Sequence, residues 1–145
     1  MKNTTRFLLV VLLLAIVALA AGCSGEVSFT TAKLSEGTMA LGIDDDTKPV
    51  NPTTVFSPEA EEIFCSVKLS NSPQDTEVNS TWIYVQGELE DTENYEIDSY
   101  AVTTDGTRYL QFSMSRPANG FPRGEYKLVL SIDGKEELNL PFTVE

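Results

Sequence analysis

Beyond residue 60 apolar and polar residues alternate with a period of two, and that pattern leaves room for little except β-sheet. Ile63, Cys65, Val67 and Leu69 point one way, with Ser66, Lys68 and Ser70 opposite. The same alternation returns in Leu110, Phe112 and Met114, in Tyr126, Leu128, Leu130 and Ile132, and in Leu138, Leu140, Phe142 and Val144. A strand turns successive side chains to opposite faces, so each set marks one buried face. Val78–Val85, with Trp82 and Tyr84, and Tyr95–Thr103 add two more expected strands. Turn chemistry separates them at Asn71–Asp75, Thr104–Thr107 and Asp133-Gly134. Upstream, Val27–Leu34 and Thr38–Ile43 read as two further strands, and Asp44–Pro52, with three aspartates and two prolines, as a loop or sheet edge. Pro58–Glu62 has room for one helical turn at most. The expected fold is all-β: an antiparallel sandwich of about seven strands, preceded by a helical leader.

That leader is the apolar run Phe7–Ala21, behind Lys2 and Arg6 and ahead of Gly22-Cys23. A basic start, a short apolar core and small residues before a cut make a secretion signal. At 15 residues the run is shorter than the roughly 20 that a spanning helix needs. Leu19-Ala20-Ala21-Gly22-Cys23 resembles the lipobox of prokaryotic lipoproteins, with Ala20 where that motif usually has Leu. The resemblance implies cleavage before Cys23 and acylation of its sulfur, with diacylglycerol as the membrane anchor. Residues 1–22 are then the signal peptide and 23–26 a lipidated tether. Residues 27–145 form the sandwich, with 27–58 either edge strands or a loose stalk.

Composition narrows function further. The chain carries a net charge of −12 and has no histidine. Lys2 and Arg6 leave with the leader, so eight basic residues face 22 acidic ones, a net −14. Such a surface repels nucleic acid and anionic lipid heads, which leaves membrane attachment to the lipid. Without histidine there is no Ser-His-Asp triad, Cys-His pair or imidazole metal site. Once Cys23 carries lipid, Cys65 has no partner in the chain and reads as a small buried hydrophobe.

Cys65 on one strand, Trp82 on the next and Gly124-Glu125-Tyr126 later together resemble an immunoglobulin-like sandwich. In that fold a tryptophan packs between the sheets and a corner tyrosine bonds nearby backbone. Leu128 stands two residues after Tyr126, where antibody domains have their second cysteine, so the resemblance implies a sandwich without the disulfide. Ile63-Phe64-Cys65, Thr81–Tyr84, Phe121–Leu128 and Pro141–Val144 also resemble a group of prokaryotic lipoproteins over residues 38–145. That likeness implies fold and location, and no reaction.

The loops offer the candidate ligand contacts: Asp44, Asp45, Asp46, Asn51, Thr53 and Thr54, then the acidic stretch Glu88–Asn94, then Tyr100 and Phe121. Asp44–Asp46 lacks the alternate spacing of a calcium loop and reads as solvated. Asn51-Pro52-Thr53-Thr54 with Arg116-Pro117 resembles loops of chagasin-type cysteine-protease inhibitors, but Val55 and Ala118 stand where those have glycine and tryptophan. Asn79-Ser80-Thr81 has the pattern of a glycosylation sequon. No Asp or Glu pair sits in a recognisable hydrolase context. The expectation is a non-enzymatic envelope protein without cofactor or metal, held to the membrane through Cys23. It would act as a binding or structural module toward an envelope protein or glycan, and not toward nucleic acid. Inhibitor, chaperone-like factor and carboxylate hydrolase are the alternatives.

Overall fold

The computed structural model describes residues 30–145. The signal peptide, Cys23, the tether and the first residues of the expected Val27–Leu34 strand lie outside them. Seven strands follow: β1 (Lys33–Ile43), β2 (Pro49–Pro52), β3 (Val55–Phe56), β4 (Glu62–Gly87), β5 (Tyr95–Ser115), β6 (Gly124–Ile132) and β7 (Lys135–Val144). Residues 30–58 are therefore not a loose stalk. Leu34 pairs with Leu69 and Met39 with Cys65, which docks β1 into the sheet.

β4 and β5 make two layers from one long hairpin. The first half of β4 pairs with β1 on one side and the second half of β5 on the other. Its second half pairs with β6 and with the first half of β5. β7 and then β3 extend the second layer, β3 running parallel to β7, the exception to the antiparallel expectation. Where two turns were expected, at Asn71–Asp75 and Thr104–Thr107, the ladder continues through Ser72↔Gly106 and Thr76↔Thr104. The turn residues bend the hairpin without ending it: Asn71, Asp75 and Gly106 all have positive φ. Of the expected Val27–Leu34 strand, the described residues 30–32 are not strand, while Lys33 and Leu34 run into the expected Thr38–Ile43 strand as one β1, kinked at Glu36, where the β1–β4 register shifts.

The core lies between the layers. Ile63, Cys65, Val67, Leu69, Phe112 and Met114 face Val78, Trp82, Tyr84, Tyr126, Leu128, Leu130 and Phe142, all buried. Tyr84, Tyr126 and Phe142 stand opposite one another across β4, β6 and β7. The two tyrosine rings meet edge-on at 5.1 Å, and Tyr126 stacks on Phe142 at 5.2 Å. Phe142 also takes Trp82 edge-on at 6.0 Å and Phe56 at 5.6 Å, which ties β3 to the core.

One short loop covers the outside of the first layer. Ser66 points away from the core, yet it is buried, because its hydroxyl donates to the Thr47 carbonyl at 2.6 Å. No helix long and apolar enough to cross a membrane occurs among the described residues.

With Trp82 only 2 % exposed, Trp82→Ala should lower unfolding free energy by about 3–5 kcal/mol in urea titration. A loss below about 1 kcal/mol would mean that the indole contributes no core packing.

Candidate functional site

The two ends of the sandwich differ. At one, the chain enters beside the β4 bend: Thr31 Oγ1 donates to the Asn71 carbonyl at 2.8 Å, and Lys33 pairs with Ser70. The β6–β7 turn lies there too, the Asp133 amide donating to the Glu77 carbonyl. At the other end, the acidic loop between β4 and β5 meets the connection from β5 to β6, and there the surface opens into an apolar cavity of about 190 Å³.

Three segments build that cavity. Tyr84 and Tyr126 form its floor, Met114 and Pro117 come from the end of β5, and Phe121 and Pro122 from the corner before β6. Leu89, Tyr95 and Ile97 complete the mouth and remain well exposed. Ile97 sits where the β4–β5 register shifts, so it is the extra residue of a bulge.

Hydrogen bonds fix the mouth. Tyr126 Oη donates to the Pro122 carbonyl at 2.6 Å and closes the corner. Burial, then the Tyr84 and Glu88 charges, push its phenol well above the ordinary range, so it stays a donor. Tyr84 Oη accepts the Leu89 amide at 2.9 Å and lies 3.4 Å from the Arg123 carbonyl, to which it donates. Glu88 and Arg123 exchange two further bonds: the Glu88 amide to the Arg123 carbonyl at 2.9 Å, and the Arg123 amide to the Glu88 carboxylate at 2.8 Å. Between them Gly87 faces Gly124 across the ladder, and a Cβ on Gly87 would fall 2.5 Å from the Arg123 carbonyl oxygen. Only glycine lets the two strands approach this closely.

The rim is acidic. Glu88, Glu90, Asp91, Glu93, Glu96 and Asp98 lie within one stretch that contains no lysine or arginine. Two arginines adjoin lining residues on the other side: Arg116, before Pro117, is held by Glu59 at 3.0 Å, and Arg123, after Pro122, is exposed and bonds Glu88 through its backbone.

The other sequence candidates scatter. Asp44, Asp45 and Asp46 sit in the β1–β2 turn, where Asp44 Oδ1 accepts the amides of Asp46 at 3.0 Å and Lys48 at 2.8 Å. No group of three or more metal-ligating side chains occurs there or elsewhere among the described residues. Asn51 belongs to strand β2, not to a loop. Thr53 Oγ1 bonds within its own turn to Val55, and the Thr54 carbonyl accepts the Thr143 amide, so these groups are engaged locally. Asn79 accepts a hydrogen bond from Ser99. Phe121 is core and Tyr100 exposed. Cys65 is free and buried, and burial pushes its thiol up to about 12. Sequence reasoning included Leu89 only as part of the acidic stretch Glu88–Asn94 and passed over Tyr95 and Ile97. The signal was present: each of Leu89 and Ile97 is an apolar residue between two acids.

No family model and no curated protein matches the chain. Solved structures share its fold. An immunoglobulin-like protein of Pseudomonas aeruginosa aligns with 83% of this chain and all of its own, at 12% identity and a TM-score of 0.53. An alkylpurine DNA glycosylase of Pseudomonas fluorescens, bound to DNA containing an abasic-site analogue, aligns at 12% identity and 0.51 over 79% of this chain. For β-glucosidase 3B of Thermotoga neapolitana the values are 13% and 0.50 over 82%. The chain spans only 30% of the glycosylase and 16% of the glucosidase. The likeness makes this an immunoglobulin-like all-β domain.

Removing the Tyr84 hydroxyl tests the mouth. Tyr84→Phe should cost about 1–2 kcal/mol and speed hydrogen exchange at the Leu89 amide, with core amides such as Leu128 following only the global change. Equal protection of Leu89 in the variant would show that the loop is held without it. Cys65 supplies a pH test. Its folded pKa, about 12, lies above the ordinary 9.0, so the native state holds the extra proton between them. Stability from this group is full below pH 9 and falls as pH rises toward 12. Peptide mapping after iodoacetamide at pH 8 should find Cys65 unmodified in buffer and alkylated in denaturant. Alkylation of the folded protein would refute the burial argument.

Proposed function

We propose that this chain is a lipid-anchored envelope protein whose immunoglobulin-like domain is a non-enzymatic binding module. The observation that carries the reading is the placement of exposed apolar side chains. Of the seven large ones among the described residues, four (Leu89, Tyr95, Ile97 and Tyr100) fall within one short stretch at the far end of the sandwich. Scattered single residues need no explanation, but a cluster beside an apolar cavity is what a contact surface requires. The lipobox-like ending at Cys23 supplies the anchor, and two acyl chains hold a protein stably where one does not. A net −14 after cleavage disfavours nucleic acid as the partner, whatever the glycosylase of similar fold is bound to.

Anchor and cluster suit each other. From Cys23 to Thr30 an extended chain reaches about 25 Å at most. The domain would hang from the end where the chain enters. The second half of β4, Glu77–Gly87, then carries the cavity about 30 Å farther from the bilayer.

Intact mass spectrometry of protein purified from membranes should find Cys23 as the first residue, carrying diacylglycerol. Cys23→Ser should move the protein out of the membrane fraction. An unmodified Cys23 or an uncleaved leader would overturn the anchor.

A further inference from the structure

We propose that the acid-rimmed cavity is a docking site for a cationic segment of another protein, one large apolar side chain entering between Leu89, Ile97 and Phe121 while flanking lysines or arginines meet the rim. The inference rests on the binding-module reading above and gives that module a partner class.

Size argues for a single side chain. The cavity is about 190 Å³, and an engineered cavity of about 150 Å³ binds benzene. A phenyl or branched aliphatic group therefore fits, and a folded element does not. The lining supplies almost no polar partner, so the entering group must be apolar.

Charge decides what surrounds it. Glu90, Asp91, Glu93, Glu96 and Asp98 have no basic residue among them, and both Glu90 and Asp91 are exposed. Docking an uncharged or acidic segment would bury or crowd these carboxylates without compensation. A cationic one gains a faster encounter and selectivity against acidic rivals. The same argument disfavours a second copy of this chain, whose contact would set two acidic rims together.

The mode is side-chain insertion, not strand addition. Among the described residues the first half of β5 is an open edge, since there β5 pairs only with β4. However, the bulge at Ile97 and the charges of Glu96 and Asp98 interrupt it, which are devices that protect an edge from pairing. The mouth is also preformed. Its hydrogen bonds and the Gly87–Gly124 approach hold Leu89 in place without a ligand, which reduces the entropy lost on binding.

The test uses full-length lipidated protein in phosphatidylcholine nanodiscs, with empty discs subtracted, and fluorescein-labelled peptides followed by anisotropy. The cationic probe GRKFKRG should bind at least tenfold more tightly than GRKGKRG, which lacks the ring, and than GDEFEDG, which reverses the charge. Its affinity should fall on raising salt from 50 to 500 mM. Ile97→Asn and Glu93→Lys, both at exposed positions, should each weaken binding fivefold or more, whereas Val55→Asn on the opposite edge should leave it unchanged. Equal binding of either control peptide, indifference to Ile97→Asn, or no binding would overturn the proposal. So would self-association that Ile97→Asn abolishes. Because the protein in the assay is first shown by mass to carry lipid, failure of the peptide leaves the anchor standing. Absence of the lipid speaks against the anchor alone.

Discussion

The row Tyr84, Tyr126 and Phe142 holds both the fold and the site. These rings line up across β4, β6 and β7, and Phe142 gathers Trp82 and Phe56 around itself. Aromatic contacts of this kind add to area burial through favoured edge-on and offset geometry. The two hydroxyls then do what phenylalanine could not. Tyr126 closes the corner on Pro122, and Tyr84 ties the acidic loop to Arg123. One end of each tyrosine belongs to the core and the other to the rim. Changes in the core are therefore felt at the cavity.

A second constraint is the absence of a disulfide at Cys65 and Leu128. Both are fully buried, one on each layer. A thiol in that environment resists ionisation, because the charged form would have to leave water. The layers are joined covalently in another way: β4 and β5 each run from one into the other, their pairing shifting register at the bend and resuming through Ser72↔Gly106 and Thr76↔Thr104. Two strands that serve both sheets fix the relative position of the layers at the bend, and apolar packing fixes it elsewhere.

The fold was legible because it rests on period-two burial, a local property. Every residue of the set Ile63, Cys65, Val67 and Leu69 is buried, as are Tyr126, Leu128, Leu130 and Ile132. Boundaries were less legible. Asn71–Asp75 has the composition of a loop, and its positive φ values agree, yet Ser72 and Thr76 keep their ladder partners. Composition reports that the backbone bends. Whether a partner strand bends with it is a long-range fact. Ser66 teaches the same lesson, since nothing near it in sequence indicates that Thr47 will cover it. The acidic stretch 88–94 was visible as a candidate contact, but the cavity beside it was not. Its walls come from three segments, and only pairing such as Gly87 with Gly124 brings them together.

Acidic character and exposed apolar side chains pull in opposite directions on this surface. Uniform negative charge keeps the surface soluble and self-repelling, whereas Leu89, Tyr95, Ile97 and Tyr100 invite association. Interleaving the two along one edge reconciles them. Each carboxylate beside an apolar residue raises the barrier to contact with another acidic surface, including a copy of itself, and lowers it for a basic one. The bulge at Ile97 then keeps the edge from being read as a strand. In the proposed docking, an edge built this way would discriminate by charge first and shape second, and it would need no moving part to do so.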